Sequence, residues 1–168
     1  MGQVDHRFSR SIDAEPSRVF ELVAELDSYP DWLDLVDEVE RCEASPDDPL
    51  DRAWLITLRA RIGPLARSKR LRMIRTILDE PTRARFERRE IDGRSHAPWV
   101  LDATVEPGPS PTSAVLTMDL QYGGRLWSSV LDGVLATQVD AAVQKLETMT
   151  ARPTPGRIGS LGNDENGP

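Results

Sequence analysis

The sequence predicts an α+β fold: a curved antiparallel sheet of about seven strands around one long C-terminal helix. Three observations predict it. Between residues 36 and 122, apolar and polar residues alternate in short runs broken by Gly- and Pro-containing turns. Residues 125–151 hold no proline and repeat apolar side chains at helical spacing. One strand and two short helical segments precede the series.

Residues 4–12 alternate imperfectly, with Val4, His6, Phe8, Arg10 and Ile12 on one side, and form the first strand. Pro16 in a first turn starts a helix over 16–26, with Val19, Phe20, Leu22, Val23 and Leu26 as its apolar stripe. Ser28-Tyr29-Pro30-Asp31-Trp32 breaks it, and a short second helix runs to about Leu35. Strands follow at 36–42, 53–62, 68–78, 83–91, 98–106 and 113–122. Gly63-Pro64, Glu80-Pro81 and Pro107-Gly108 turn the chain, and Asp92-Gly93 is a hairpin-type dipeptide. On 68–78 the sides are ambiguous: Leu71, Met73 and Ile77 share parity with Arg75, and Ile74 and Leu78 with Arg70 and Arg72. The long helix carries Leu126, Val130, Val134 and Leu146 in its stripe, and Pro153 and Pro155 stop it.

At 168 residues the chain is one domain's worth, expected over 1–151, with 152–168 a disordered polar tail. No apolar run is long enough for a membrane helix and no secretory signal is visible, so a cytoplasmic location is expected. One cysteine, Cys42, excludes an internal disulfide and a cysteine-built zinc site. Phosphate-loop, zinc-protease and nucleophile-elbow motifs are absent, and no metal or cofactor is expected. The net charge of −7 argues against a nucleic-acid binder but hides an asymmetry. Residues 13–51 hold fourteen acids against two bases, whereas 52–94 hold thirteen bases against five acids. The arginines are read as the wet face of a sheet, or as a surface for a membrane or an acidic protein through Arg70, Arg72, Arg83 and Arg85.

The run Ile12-Asp13-Ala14-Glu15-Pro16-Ser17-Arg18-Val19-Phe20, then Leu26-Asp27-Ser28-Tyr29-Pro30-Asp31-Trp32, carries a resemblance. So do the late strand Thr117–Tyr122 and the long helix. Over residues 4–150 the chain resembles the START-like, or SRPBCC, superfamily of helix-grip domains, closest to its polyketide cyclase/dehydrase and coenzyme Q-binding families. The resemblance implies an internal apolar cavity between sheet and helix, holding a lipid-, quinone- or polyketide-like molecule. It also leaves open a cyclase or aromatase.

Inward parity nominates the cavity walls. The first strand and short helices give Phe8 and Trp32, and the middle strands give Trp54, Ile56, Leu58, Met73 and Phe86. The last two strands give Trp99, Leu101, Leu116, Met118, Leu120 and Tyr122, and the helix gives Leu126, Val130 and Val134. For chemistry the candidates are Arg88 to orient a carbonyl or carboxylate, Glu90 as a base raised by burial, and His6 as an acid/base. The alternative for all three is an exposed strand end with arginine stems packed and heads in water. Oligomeric state is not legible from these features.

Overall fold

A computed structural model describes residues 4–123 and 125–151. The chain runs β1 (Val4–Ile12), α1 (Pro16–Val23), a 3₁₀ turn (Leu26–Ser28), α2 (Tyr29–Trp32), β2 (Val36–Cys42) and β3 (Ala53–Ile62). It continues through β4 (Leu65–Asp79), β5 (Arg83–Arg88), β6 (Trp99–Pro107), β7 (Ala114–Tyr122) and α3 (Arg125–Ala151). All seven strands join one antiparallel sheet in the order β1-β7-β6-β5-β4-β3-β2. This is the expected helix-grip fold. No helix among the described residues is long and apolar enough to cross a membrane. The tail at 152–168 lies outside the described residues.

Four local outcomes differ from the sequence reading. The first helix stops at Val23 rather than residue 26. Ser28 Oγ donates to the carbonyls of Leu22 at 2.5 Å and Glu25 at 3.1 Å, which a longer helix would have claimed for itself. The second helix likewise closes at Trp32, short of Leu35. β4 is longer than expected, Leu65–Asp79, and its register shifts between Arg75 and Ile77. That irregularity swaps the parity: Leu78, not Ile77, then pairs with inward-facing Ala84 and packs on the core. β5 ends at Arg88, not residue 91. Beyond it the Glu90 carboxylate accepts the backbone N–H of Arg72 at 3.2 Å. A side chain thereby takes a position that the strand's own carbonyl would have filled. Asp92-Gly93 accordingly sits inside a loop over 89–98, not in a two-residue hairpin, with Gly93 at φ 72°.

The inner sheet face is the alternating set read from the sequence. Trp54, Phe86, Ala103, Ala114, Met118 and Tyr122 are all buried on it. α3 covers this face with Trp127, Val130, Leu131, Leu135 and Leu146. β1 and the residue that follows it are stitched to α3 at three helix positions. His6 sits against the Asp132 carboxylate, Arg10 reaches Asp140 at 3.5 Å, and the Asp13 N–H meets Glu147 at 3.0 Å. On the far side Lys145 bonds Asp34, after α2, at 2.5 Å. Over β1, β5, β6 and β7 the outer face is polar and internally paired. Arg7 grips Asp119, and Arg83 forks onto Asp102 at 2.9 and 2.6 Å.

Candidate ligand cavity

A cavity of about 60 Å³ lies between the inner face, α3 and the segment after α1. Eight sequence-predicted residues line it: Phe8, Ile56, Leu58 and Met73, with Trp99, Leu101, Met118 and Leu120. The lining also takes residues that parity on the strands did not nominate. Leu26, Tyr29, Leu33 and Leu35 come from the 26–35 segment, Val36 and Val39 from β2, and Leu135 from α3. Their signal was the apolar spacing of 26–39, which reads as helix closure until the segment folds over the sheet.

The remaining predicted wall residues are packed elsewhere. Trp54 and Phe86 meet edge to face at 5.6 Å, and Phe86 in turn meets Tyr29 at 6.4 Å. The Trp54 Nε1–H donates to Asp27 Oδ2 at 2.9 Å, so this ring anchors the 3₁₀ turn. Trp32 leans on Tyr29 and donates Nε1–H to Ser28 Oγ at 3.2 Å. Leu116, Tyr122, Val130 and Val134 belong to the core around the cavity without lining it. The side chain of Leu126 lies outside the described residues.

The three chemical candidates do not meet in the cavity. Arg88 does share the inner parity, opposite Met73. Its guanidinium, however, donates to Glu90 Oε1 at 2.9 Å and to the Ala97 carbonyl at 3.3 Å, and lies 3.3 Å from His96 Nδ1. Glu90 lies in the 89–98 loop, off the strand parity that placed it inside. These groups fold the loop over the sheet end. His6 is across the sheet on β1, stacked on Tyr122 at 5.7 Å and held by Asp132. Arg75, also of inner parity, is consumed between the Ala24 carbonyl and Glu25, both at 2.9 Å, with its guanidinium over Trp54. No group of three or more potential metal-ligating side chains occurs among the described residues.

Polar groups do approach the cavity from one end. Trp99 lines it, yet its buried Nε1 has no hydrogen-bond partner among the described residues. Lys69 Nζ lies 5.7 Å above the Trp99 ring. Lys69 pairs in register with Leu58, so it stands on the inner face directly above a cavity wall. Partial burial, then repulsion from Arg88, lowers its pKa against a weaker pull from Glu90. Stacked beneath Trp99 is Tyr122, whose buried hydroxyl also lacks a partner among the described residues. Burial, and then the charge of Asp132, push the Tyr122 phenol up to about 12. The Tyr29 phenol is pushed higher still by burial alone, and it donates to the Val23 carbonyl at 2.8 Å.

With this geometry in view, the family model for polyketide cyclase/dehydrase and lipid transport matches residues 3–150. The chain belongs to that family. Solved structures agree on the fold. A START superfamily protein from Mycobacterium smegmatis superposes with a TM-score of 0.65 at 14% identity, covering 89% of this chain and 97% of that one. The Zhui aromatase/cyclase from a Streptomyces species gives 0.63 at 13% identity, covering 92% and 99%. A Thermus thermophilus protein gives 0.64 at 18% identity, covering 88% and 97%. No curated protein matches the chain. At these identities the likeness speaks for the START-like architecture, and the polyketide cyclase/dehydrase family membership rests on the sequence match.

Proposed function

We propose that this polyketide cyclase/dehydrase family member binds one hydrophobic small molecule, lipid-, quinone- or polyketide-like, between its sheet and α3. The observation that carries the reading is the cavity. Protein interiors leave few voids larger than a water molecule. Here about 60 Å³ stays open behind walls that are almost wholly carbon, room for roughly four water-sized spheres. A void with so few polar groups stays dry. Leaving it empty costs on the order of 1 kcal/mol, which a filling guest returns along with about 25 cal/mol per Å² of buried apolar surface.

A drug-sized guest occupies roughly 300 Å³ or more, so the walls must part. The wall that yields is the short 33–35 segment between α2 and β2, tied across to α3 through Lys145–Asp34 and to β3 through the Arg59 N–H bond to the Leu35 carbonyl. The guest's polar end points at Trp99 Nε1 and Lys69, the free donors at that end of the cavity, and its apolar body lies along Leu58, Leu101 and Met118.

The test is native mass spectrometry of freshly purified protein, with extraction and identification of carried molecules. A retained apolar molecule lost in Met118→Trp, which fills the cavity, supports the reading. A parent protein that carries nothing and gives no chemical-shift changes across a broad lipid and quinone panel overturns it.

A further inference from the structure

We propose that the end of the sheet bearing the β3–β4 hairpin docks onto an anionic lipid surface, with the hairpin tip and the 89–98 loop entering the interface. The inference stands on surface features alone and does not depend on what the cavity holds.

The hairpin outruns its neighbours. β2 pairs with β3 from Cys42↔Ala53 only as far as Val36↔Leu58, and β5 pairs with β4 only from Met73↔Arg88 onward. Beyond Leu58↔Lys69, the pairs Arg59↔Ser68 to Ile62↔Leu65 form a two-stranded ribbon with no third strand, held at its base by the Arg59 N–H bond to the Leu35 carbonyl and by buried Ala60. Four further residues per strand give it a reach of about 14 Å. Gly63 turns it at φ 58°, in the left-handed region that glycine enters without strain.

The antiparallel order puts this tip, the 89–98 loop and the start of α3 at the same end of the sheet. The two large apolar side chains that are exposed among the described residues both lie here: Leu65 at 64% and Ile91 at 74%. Around them are cations. Residues 52–78 contain eight Arg or Lys residues and no acid. Arg59 and Arg61 project from the outer face of the ribbon and Arg67 from the inner, by register with Leu58 and Ala60. Arg94 follows Ile91 in the loop. All four are exposed, and their side chains have no ion-pair or hydrogen-bond partner among the described residues.

Two things favour a lipid surface over an acidic protein. A protein partner is expected to meet one contiguous patch with an apolar centre. Here isolated apolar tips stand on separate loops, and cations flank the ribbon on both of its faces. An anionic bilayer surrounds such a ribbon, taking the tips into its interface while its headgroups meet arginines on either side. The rest of the chain is acidic, with an overall charge of −7. Repulsion of the other surfaces therefore selects this end and sets the orientation on the bilayer.

The test is flotation of the full chain with vesicles of phosphatidylcholine alone or mixed with phosphatidylglycerol. The expected result is binding to the mixed vesicles at low salt, none to the neutral ones, and loss as salt is raised. Arg59→Ser, Arg61→Ser, Arg67→Ser and Arg94→Ser together should weaken it by about fivefold per arginine. Leu65→Ser with Ile91→Ser should weaken it by at least about tenfold. All six positions are exposed, so melting curves should match the parent and separate docking from misfolding. Three results overturn the proposal. They are no flotation with anionic vesicles at low salt, unchanged flotation of the Leu65/Ile91 variant, and binding to soluble polyglutamate as tight as to vesicles. The last would assign this end to an acidic protein.

Discussion

The arginines of the central strands fall into two groups that composition does not separate. Arg72 and Arg75 are buried and every arm is engaged or enclosed. Arg72 donates to Asp48 at 2.8 Å and to the Arg89 and Glu43 carbonyls, so one guanidinium ties the 43–52 loop to β4 and β5. Arg59, Arg61, Arg67 and Arg94 are exposed, and their side chains make no ion pair or hydrogen bond among the described residues. The first group works as mortar and the second is available to an outside partner. Arg70, Arg83 and Arg85, expected as a docking surface together with Arg72, belong with the mortar: Arg70 pairs with Glu40, and the other two converge on Asp102. An arginine's meaning lies in its partner, which sequence spacing does not print.

The contrast is broken most directly by removing a mortar residue. Arg72→Ala leaves the Asp48 side chain, 0% exposed, with only the Ser45 N–H at 2.7 Å and the Arg89 guanidinium at 3.9 Å to balance its charge. The expected loss is about 3–5 kcal/mol, read by urea unfolding. A loss below about 1 kcal/mol would place Arg72 with the free group. Arg75→Ala should cost less, about 2–3 kcal/mol, because its partner Glu25 is one-third exposed and rehydrates.

Acid sharpens the same comparison. Asp48 and Asp27 are penalised by burial, yet hydrogen bonds from Arg72 and Ser45, and from Arg41 and Trp54, outweigh it and hold both below the ordinary 3.8. Asp102 is lowered chiefly by its hydrogen bond from Arg83. A carboxylate with a depressed folded-state pKa adds stability that is full above its unfolded value and drains as pH falls through the folded one. Stability should therefore be flat down to about pH 4–5 and then drop, with the drop reduced in Asp102→Asn. With Tyr29 and Tyr122 the chain's two tyrosines, phenolate absorbance should stay absent to about pH 11 while the fold holds. The smallest effect is Arg59→Ser with Arg61→Ser, within about 0.5 kcal/mol of the parent by urea unfolding.

Much of the fold was legible because strand parity is a period-two signal that survives in the sequence. Trp54, Phe86, Met118 and Tyr122 could be placed inside from alternation alone. The bulge after Arg75 could not, since Ile77 and Leu78 are equally apolar and only pairing with Ala84 decides between them. Glu90 went astray for a related reason: the alternation of charges ran on past Arg88 although the strand did not. Half of the predicted cavity wall lines the cavity, and most of the share that was missed comes from 26–39, with Val100 and Leu135 besides. Along 26–39 the apolar spacing reads as helix closure, and the deciding fact is how a short segment folds across the sheet, a tertiary matter. Trp127, buried on Trp99 at 6.1 Å, was likewise hidden in a helix whose apolar stripe was read from its aliphatic residues.

The unsupported stretch of ribbon past Leu58 and Lys69 has an evolutionary corollary. Past its base, where the Arg59 N–H bonds the Leu35 carbonyl and Ala60 is buried, nothing in the seven-strand ladder leans on it, so residues can be gained or lost toward the tip in matched pairs, one per strand, while the register of the remaining sheet stays intact. Each such step turns the tip from one face to the other and moves it by about 3.4 Å. The hairpin is thus an adjustable appendage on an otherwise inflexible plan, and its length can drift or be engineered at little thermodynamic penalty.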